Sequence, residues 1–425
     1  MLDALSRTVV PPKPALWRRW RALPLFSYYN RLAGLVLLGN GTFLWWWPRI
    51  DVQVLSQMVL INLSLAILIR QQYVINALFW LATRVPITWP LRIRRSAAKV
   101  YHLGGLHSGA ALAATAWFAA MMQAQWVQVE VVASSTLWLG SALLGLLVVM
   151  VIMAQPWVRS RFHNAFERVH RFAGWSALGL FWALTLMASS ERPTDLLHSG
   201  AFWLLGLVSI SIVLPWLRLR KVAVEHIRPS SHAVITRFAH TTPFAGSSTA
   251  ISRHPLLEWH AFANIPAPGE AGFRLIISRA GDWTGRFIDA LPRHVWVKGI
   301  TTAGVANVET LFKSVVYVAT GSGIGPVMPH VLARKVPIQL IWSTRSPRAT
   351  YGDALVDEIL RAHPQALIWD TAERGKPDLV QLAYGAVQAC GAEAVICIAN
   401  QALTRHVVQE LEARGTAAYG AIWDS

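Results

Sequence analysis

The stretch "SVVYVATGSGIGPVMPHVLARK", residues 314–335, gives the strongest indication of the fold of the C-terminal part of the chain. An apolar, strand-like run leads through a glycine-rich turn into a helix. The turn contains Thr320, Gly321, Ser322, Gly323, Gly325 and Pro326. Glycines let a backbone approach a ligand closely, and the free N–H groups at the start of a helix favour an anion such as a pyrophosphate. A tight turn with a purely structural purpose has the same composition, so both interpretations stay open.

The residues that follow this turn alternate between strand-like and helix-like runs. These runs are "PIQLIWS", "DALVDEILRA", "ALIWD", "AEAVICIA" and "TRHVVQELEARG". Strands that alternate with helices predict a parallel sheet, so we expect an α/β domain over residues 313–425. The chain has two cysteines, Cys390 and Cys397, and both fall in this domain. Two cysteines without a CxxC spacing exclude a four-cysteine zinc site and indicate two reduced thiols.

The preceding segment, residues 220–312, contains short runs in which apolar and polar residues alternate. These runs are "KVAVEHI", "HAVITRFA", "FRLIISRA" and "HVWVKGI". Alternation with turn residues between the runs is typical of antiparallel strands that bury one face. The sequence therefore predicts an antiparallel β-barrel domain before the α/β domain.

The first half of the chain is strongly apolar. Of the 425 residues, 54% are hydrophobic and 21 are tryptophan, and the mean hydropathy is +0.39. Six runs approach the roughly 20 apolar residues that cross a bilayer. We expect membrane helices over residues 28–47, 56–80, 103–123, 135–154, 168–189 and 199–217, which together form a six-helix transmembrane bundle over residues 28–219.

The formal net charge of +17 has a simple distribution. Basic residues concentrate in residues 1–27, in alternate loops of the bundle and directly after its last helix. Cytoplasmic loops of membrane proteins carry such an excess, so we expect an integral membrane protein. Residues 1–27 become a cytosolic lead-in, and both termini and the C-terminal module lie in the cytosol. This distribution indicates membrane lipid, and not nucleic acid, as the partner.

Two further motifs complete the pattern. They are "LEWHAFA" at residues 257–263 and "GDWT" at residues 281–284, and a basic residue, Arg345, follows the second strand of the α/β domain in "LIWSTRS". With six helices, a barrel and a nucleotide-binding domain in this order, the chain resembles the ferric reductase and NADPH oxidase superfamily. It looks closest to TmpA-type transmembrane flavoproteins and to domains fused with adenylate-forming enzymes, which points toward secondary metabolism.

The resemblance implies an FAD-binding barrel and a domain that binds NADPH or NADH. The implied cofactor contacts in the barrel are His260, Phe262, Ala263, Asn264, Asp282, Trp283 and Thr284. Ala263 stands where the family has a threonine that contacts the flavin. Arg345 and Arg348 would grip a 2′-phosphate, which favours NADPH because arginine recognises phosphate through two parallel hydrogen bonds. An aromatic residue near the end, Trp423 or Tyr419, would cover the flavin ring.

Four histidines lie at or near the start of the third and fifth predicted membrane helices. Ionisable groups inside a membrane suggest function. In the resembling family the third and fifth helices each supply two heme ligands. The implied inner pair is His107 and His170, with His102 and His163 as alternates, and the group held would be one b-type heme. Two other interpretations stay open, namely a non-heme iron or other site on the four histidines and a purely structural role.

An outer heme pair is missing from the sequence. The family spacing leads from His107 to Met121 and from His170 to Ala183, and the alternate register leads to Ala116 and Ser176. The outer site would lie about 20 Å deeper at 1.5 Å per residue. We therefore expect no electron transfer across the membrane by two hemes.

These inferences lead to two hypotheses about function. The first is an NAD(P)H-dependent flavoprotein oxidoreductase that passes electrons through FAD to an inner heme or directly to a small hydrophobic or protein acceptor on the cytosolic side. The second is a non-catalytic membrane sensor or regulatory protein that binds flavin or nucleotide. The sequence names no catalytic residue and no acceptor, and it leaves open whether the chain forms a homodimer.

Overall fold

The N-terminal half of the chain is helical. The computed structural model describes residues 5, 8–12, 26–47, 50–189 and 193–421. Its helices in this half are α1 (Tyr28–Trp46), α2 (Val52–Leu68), α3 (Gln72–Ala82), α4 (Leu91–Ala97), α5 (Gly104–Val127), α6 (Ser134–Met153), α7 (Pro156–Arg161), α8 (His163–Ala188), α9 (Pro193–His198) and α10 (Gly200–Leu217). A 3₁₀ turn, Ala98–His102, precedes α5.

The second predicted span is broken, and the expectation of one continuous helix over residues 56–80 was wrong. Helices α2 and α3 meet at a bend of 72°. The break falls at Arg70 and Gln71, where polar residues interrupt the apolar run. The side-chain oxygen of Gln71 accepts the N–H of Tyr73 and so starts a new helix. Helix α8 begins at His163, five residues before the predicted start.

Two of the described helices, α6 and α10, are long and apolar enough to cross a membrane, and the bent pair α2–α3 would make a third. The other long helices carry polar residues near one end. Helix α1 contains Asn30 and Arg31, and the first turns of α8 contain Glu167, Arg168 and Arg171. The described residues therefore form six long helical segments at the predicted positions, but only two or three satisfy the length and composition of a span.

Apolar side chains from several helices form the core of this bundle. Phe118 of α5 and Phe181 of α8 are buried and meet edge to face, with ring centroids 5.6 Å apart. A small polar network lies nearby, in which Asn40 and Asn62 exchange amide hydrogen bonds of 3.0 and 2.7 Å. The indole N–H of Trp117 donates to Asn40 at 2.7 Å. Each of these buried polar groups therefore has a partner, which keeps the cost of burying them low.

The middle part of the chain forms two antiparallel sheets. Its strands are β1 (Leu219–Ala223), β2 (Glu225–Ile227), β3 (Ala233–Phe238), β4 (Ser247–Ser252), β5 (His260–Ala263), β6 (Phe273–Ser278), β7 (His294–Lys298) and β8 (Thr302–Ala303). One sheet has the order β1-β7-β4-β5 with β8 on β4, and the other has the order β2-β3-β6. A bridge between Ile265 and Arg274 links the two sheets. Helix α11 (Asp282–Ala290) packs on their shared apolar core through Trp283 and Phe287.

The C-terminal part is a parallel α/β domain, as predicted. Its strands are β9 (Val315–Thr320), β10 (Ile338–Thr344), β11 (Leu367–Asp370), β12 (Ala394–Ile398) and β13 (Ala417–Gly420). Its helices are α12 (Ile324–Ala333), α13 (Pro347–Tyr351), α14 (Asp353–Ala362), α15 (Thr371–Arg374), α16 (Leu379–Cys390) and α17 (Gln401–Ala413). The strand order is β11-β10-β9-β12-β13. From β9 the chain goes on to β10 and β11 on one side of that strand, and it then returns to form β12 and β13 on the other side. Ligands of such sheets bind at the point where the strand order reverses in this way.

The segment between α3 and α5 joins the bundle to the α/β domain. Arg94 is 4% exposed and makes two hydrogen bonds to the carboxylate of Glu393, at 2.6 and 3.1 Å. Arg94 also donates to the carbonyl of Leu311 at 2.8 Å. Lys99 forms an ion pair with Glu412 on α17. Specific charged contacts thus attach the helical half to the α/β domain.

Candidate functional site

The glycine-rich turn lies at the switch point of the parallel sheet. Gly321 has a φ of +51°, a conformation that glycine adopts without strain. A Cβ on Gly323 would lie 2.1 Å from the carbonyl oxygen of Ile398, at the end of β12. The indole N–H of Trp342 donates to the Gly321 carbonyl at 2.9 Å. The turn is therefore held against two strands, and only glycine fits at Gly323.

The start of α12 can hold an anion. Gly325 is in its first turn, where a Cβ would lie 3.7 Å from the nearest atom, Cβ of Ile276. Pro326 follows, half-buried, and Thr320 ends β9 in register with Ser343. The first N–H groups of a helix have no partner within the helix and attract negative charge. The N–H of Ile324 already donates to the carbonyl of Gly321, so the donors whose chemistry fits a pyrophosphate are those of the preceding 3₁₀ turn, Gly321–Gly323.

The two predicted phosphate-binding arginines differ in their surroundings. Arg348 is held by two carboxylates, Asp353 at 2.9 Å and Asp357 at 2.8 Å. These hydrogen bonds raise the pKa of Arg348. Arg345 is exposed directly after β10. Among the residues that the structure describes, no acidic side chain pairs with Arg345, so its guanidinium is the one available to a phosphate.

The turn also touches the antiparallel domain. The hydroxyl of Ser278, the last residue of β6, donates to the hydroxyl of Ser322 at 2.7 Å. The hydroxyl of Tyr351 also lies beside the turn, 3.4 Å from where a Cβ on Gly321 would be, and burial raises the pKa of Tyr351 to about 12. The two domains therefore share one seam, and the glycine-rich turn is part of it.

The two barrel motifs come together in space. The imidazole of His260 stacks on the indole of Trp283, with ring centroids 4.2 Å apart, and Phe262 stacks on the same indole at 6.2 Å. Burial lowers the pKa of His260 to about 4. Its Nε2 is buried and lacks a hydrogen-bond partner in the described part of the chain. In the predicted flavin segment, the imidazole of His260 is therefore neutral and stacks on the indole of Trp283.

Three neighbouring residues have mainly structural contacts. Asn264 is fully buried, its backbone N–H donates to the carbonyl of Ser247 at 2.9 Å, and its amide donates to the hydroxyl of the same residue at 2.8 Å. Ala263 pairs with Ser248 across β4 and β5. The hydroxyl of Thr284 accepts the N–H groups of Ala280 and Gly281 at 3.0 and 3.1 Å. "GDWT" therefore starts a helix, and Asp282 is exposed at its first position.

A large chamber lies between the helical bundle and the α/β domain. Its volume is about 1470 Å³, and residues from both parts line it. His107 and His170 face each other across it, with ring centroids 6.3 Å apart. The Nδ1 atom of His107 lies 2.7 Å from the carbonyl oxygen of Ala66. A backbone partner on one nitrogen orients the ring and leaves Nε2 for a ligand.

Of the four histidines, His107 and His170 are the pair that the structure brings together, and two imidazoles at this separation would be able to hold one iron between them. The alternates fit less well. His163 is exposed and lies 3.4 Å from Glu167, and His102 packs on Tyr101 and Tyr28. Within the described ranges no three His, Cys, Asp or Glu side chains are placed to hold a metal ion, which disfavours the four-histidine iron site.

Farther along the two helices, aromatic side chains fill the space. The Phe118–Phe181 contact lies eleven residues beyond each histidine, about 16 Å along each helix at 1.5 Å per residue. Met121 lines the same apolar core as these rings. The bundle at this depth is therefore packed with side chains.

Tyr419 and Trp423 are the two aromatic residues predicted to cover the flavin ring. Tyr419 is 1% exposed and packs against Phe312 and Tyr101. Its hydroxyl donates to the carbonyl of Arg95 at 3.4 Å. Tyr419 is thus a core residue at the junction with the helices. Trp423 lies outside the residues that the structure describes.

The sequence did not reveal the chamber, because its walls come from distant segments. Lys298 of β7 places its ammonium 4.8 Å from the ring centroid of Trp259 and 5.6 Å from that of Trp216. Burial, and secondarily Arg171, lowers the pKa of Lys298 to about 8. Arg70 enters the chamber from the bend between α2 and α3. A single basic residue inside a predicted span was the signal available for Arg70, and no local pattern marks Lys298.

Residues 305–425 match the family model for the C-terminal domain of adenylate-forming reductase 03009. The chain is 41% identical over 414 residues to adenylate-forming reductase 03009 of Coprinopsis cinerea, covering 94% of this chain and 40% of that protein. It is 41% identical over 415 residues to adenylate-forming reductase 06235 of the same organism, with the same coverage. The ferredoxin NADP⁺ reductase of Neisseria gonorrhoeae with bound FAD and NADP is similar in structure, with 13% identity, 48% of this chain and 99% of that chain covered, and a TM-score of 0.36.

The expected likeness to domains fused with adenylate-forming enzymes is confirmed by these relatives. The chain spans about 40% of the length of each of the two reductases. It is therefore similar, along nearly its whole length, to one part of two larger adenylate-forming reductases.

Proposed function

We propose that the protein is a membrane-bound, NAD(P)H-dependent flavin oxidoreductase of ferric-reductase-like architecture, with its C-terminal module on the cytosolic side. The observation that carries this proposal is the seam where Ser278 donates to Ser322 at 2.7 Å. At this seam the segments predicted for flavin and for nicotinamide nucleotide meet. The two relatives, named as reductases, support reductive chemistry.

The chain's own residues would bind and orient the reactants. The turn at Gly321–Gly323 and the start of α12 hold a pyrophosphate, and Arg345 reaches a 2′-phosphate. His260 is uncharged at neutral pH because its pKa is about 4, so it offers the flavin a flat, neutral surface. When bound, the flavin accepts a hydride from the reduced nicotinamide, and the protein supplies orientation and exclusion of water.

The electron acceptor would lie in or beside the chamber. One acceptor we propose is a heme that His107 and His170 would hold, and the proximity of their rings, with centroids 6.3 Å apart, supports this proposal. The other is a hydrophobic molecule that enters from the cytosolic boundary of the membrane. The Phe118–Phe181 packing leaves an outer heme no space between these helices, so we propose no route across the membrane by two hemes.

The apolar surface of the bundle supports membrane attachment. Trp138 of α6 is 67% exposed, and Trp203 and Ile210 of α10 are 62% and 64% exposed. Side chains of this size are costly to leave in water. Sodium carbonate extraction of membranes should leave the protein in the pellet, whereas release into the supernatant would refute integral insertion.

The experiment that tests the proposed function is the absorbance spectrum of the purified protein before and after NADPH. A flavin band that bleaches on addition of NADPH supports the oxidoreductase. A sharp Soret band in the same sample supports the heme, and His107→Ala or His170→Ala should abolish it while His163→Ala retains it. A colourless protein that gains no flavin band with added FAD refutes both cofactor assignments.

A non-catalytic sensor is the second candidate. Two observations favour it: Ala263 offers no hydroxyl to a flavin, and Arg348 is neutralised by Asp353 and Asp357. A sensor would bind nucleotide with normal affinity and transfer no electrons to a soluble dye. Steady dye reduction that needs NADPH would exclude this candidate.

A further inference from the structure

The chamber concentrates polar groups that lack partners. In the described part of the chain, ten buried side-chain nitrogen or oxygen atoms have no hydrogen-bond partner. Five belong to residues that line the chamber, namely Gln71, Arg95, His102, Glu167 and His170. Unsatisfied buried polar atoms are uncommon in folded proteins, and an unplaced ligand or water is a usual explanation.

The charge of the chamber is strongly positive. Its lining includes eight basic side chains, Arg31, Arg70, Arg95, Lys99, Arg159, Arg171, Lys298 and Arg405, and two acidic ones, Glu167 and Glu412. Glu412 is already paired with Lys99. Within the described ranges, neither Arg70 nor Arg95 has an acidic partner. Arg70 is exposed and Arg95 is half-buried, so both guanidinium groups are accessible to an anion that enters the chamber, and arginine binds carboxylate and phosphate through charge-assisted hydrogen bonds.

Arg70 and Arg95 both line the chamber. Arg70 is at the bend between α2 and α3, and a Cβ on Gly104 would be 3.4 Å from its Nη1. Arg95 is on α4, whose chain continues through the turn at Ala98–His102 to Gly104. The carbonyl of Arg95 accepts the hydroxyl of Tyr419, so Arg95 lies at the junction with the α/β domain, whereas Arg70 lies at the bend of the bundle.

Much of the remaining lining of the chamber is apolar. Small and aliphatic residues of α5, α6, α8 and α10 form this part, including Ala111, Leu147, Met150, Gly174, Leu178 and Ile212. Gly174 leaves room, because a Cβ there would meet only the terminal methyl of Met150, at 3.7 Å. A chamber lined by basic side chains and by apolar side chains of several helices matches a molecule with an anionic head and a hydrocarbon chain.

We infer that the chamber binds an anionic amphiphile, with a carboxylate or phosphate head at Arg70 and Arg95 and its chain between α5, α6 and α8. The volume of about 1470 Å³ exceeds the roughly 300–1,000 Å³ of ordinary small-molecule pockets. The amphiphile therefore has room beside a ligand on His107 and His170. This binding does not depend on flavin chemistry.

Photolabelling of the full chain tests the inference. The protein is reconstituted in zwitterionic lipid nanodiscs and labelled with a palmitate analogue that carries a diazirine in its chain. Mass spectrometry then compares peptides that line the chamber on α5, α6 and α8 with the lipid-facing part of α10 around Ile210. We expect chamber labelling that oleate and oleoyl lysophosphatidate suppress at least tenfold and that neutral oleyl alcohol does not.

Two pairs of variants give matched controls. Arg70→Gln should reduce chamber labelling about tenfold, since charge-assisted hydrogen bonds contribute at least this much, and Arg70→Lys should keep most of it. Arg84→Gln removes a cation that lies over Trp80 outside the chamber and should change nothing. Gly174→Phe should block the apolar part, whereas Gly179→Phe, on the same helix with open space around it, should not.

The outcomes separate the inference from its rivals. The acid that competes more strongly identifies the head group, and competition by either supports the shared chemistry. Equal competition by oleyl alcohol would overturn the anionic head. Chamber labelling that matches the α10 reference and ignores both Arg70→Gln and Gly174→Phe would overturn the site. A protein that labels as expected but never reduces flavin would retain the site and refute the oxidoreductase.

Discussion

The imidazole of His260 lies on the indole of Trp283 with ring centroids 4.2 Å apart, and the ring of Phe287 stacks on the same indole with centroids 5.1 Å apart. The stack joins the first residue of β5 to the first turns of α11. It brings together two motifs that are well separated along the chain. Trp283 is 8% exposed. It therefore packs behind the predicted flavin segment, and little of its own ring is accessible to a cofactor.

Replacement of Trp283 should therefore disturb both stability and flavin content. Trp283→Ala removes a buried aromatic ring, which costs about 3–5 kcal/mol in cores of this kind. We expect a lower unfolding temperature and loss of most bound FAD, measured by thermal unfolding and by flavin absorbance per chain. Trp283→Phe keeps a stacking ring and should retain most of both. Full FAD content in a destabilised Trp283→Ala protein would contradict a link between this stack and the flavin.

The two arginines after β10 should contribute unequally to nucleotide choice. Arg348 is committed to Asp353 and Asp357, whereas Arg345 is exposed and unpaired among the described residues. Arg345→Gln should raise KM for NADPH at least tenfold and leave KM for NADH nearly unchanged. Arg348→Gln is the matched control and should have a smaller effect on both. A larger loss of NADPH affinity in Arg348→Gln would show that the aspartates release Arg348 when the nucleotide binds.

Local patterns predicted the parts of the fold that depend on local physics. The run from Val315 to Ala333 has a buried strand, a turn that needs glycine and a helix, and each is visible within a few residues. Strand β4, "SSTAIS", and strand β13, "AAYG", were not predicted, because serine, alanine and glycine have low strand propensity. These strands exist because their neighbours in the sheet pair with them. The break at Arg70 was missed for a similar reason, since the apolar composition on both sides outweighed one arginine.

The site was predictable where it is built from a contiguous motif. The glycine-rich turn and the His260 segment each lie within one short stretch of sequence, so their residues could be named as candidates from the sequence. Asn264 illustrates the limit, because its partner Ser247 belongs to a strand that the sequence did not reveal. The chamber illustrates it further, because Arg70 and Lys298 line one space only after the bundle and the antiparallel domain pack together. The pairing of Arg348 with Asp357 likewise requires the turn between α13 and α14.

The contact between Arg94 and Glu393 should hold the helical half to the α/β domain. Arg94 is almost fully buried, and loss of its carboxylate partner leaves an uncompensated charge, which costs about 3–5 kcal/mol. Glu393→Ala should lower the unfolding temperature and expose the segment around α4 to limited proteolysis. Glu412→Ala breaks the more exposed ion pair with Lys99 and should cost less than about 1 kcal/mol. Equal protease resistance of the two variants would show that the domains are held together by apolar packing alone.

Lys298 should make stability depend on pH in the alkaline range. Burial lowers its folded pKa to about 8 from the ordinary value of 10.5. Between these two values the unfolded chain binds a proton that the folded chain has released. The free energy of unfolding therefore rises with pH across this window. Below pH 8 the folded protein carries the whole penalty of the buried charge, at most about 3 kcal/mol.

Lys298→Met removes both the charge and its pH dependence, and comparison with the wild type isolates this one group. The variant should unfold at a higher temperature than the wild type at pH 7, because methionine packs beside Trp216 and Trp259 without a charge to desolvate. The difference should shrink as pH rises from 8 to 10, since the wild type then becomes neutral at this position. Lys221→Met, an exposed lysine on the adjacent strand β1, controls for loss of a positive charge and should show no such trend. If Lys298→Met unfolds at a lower temperature than the wild type at pH 7, the attraction between its ammonium and the two indoles exceeds the cost of burial.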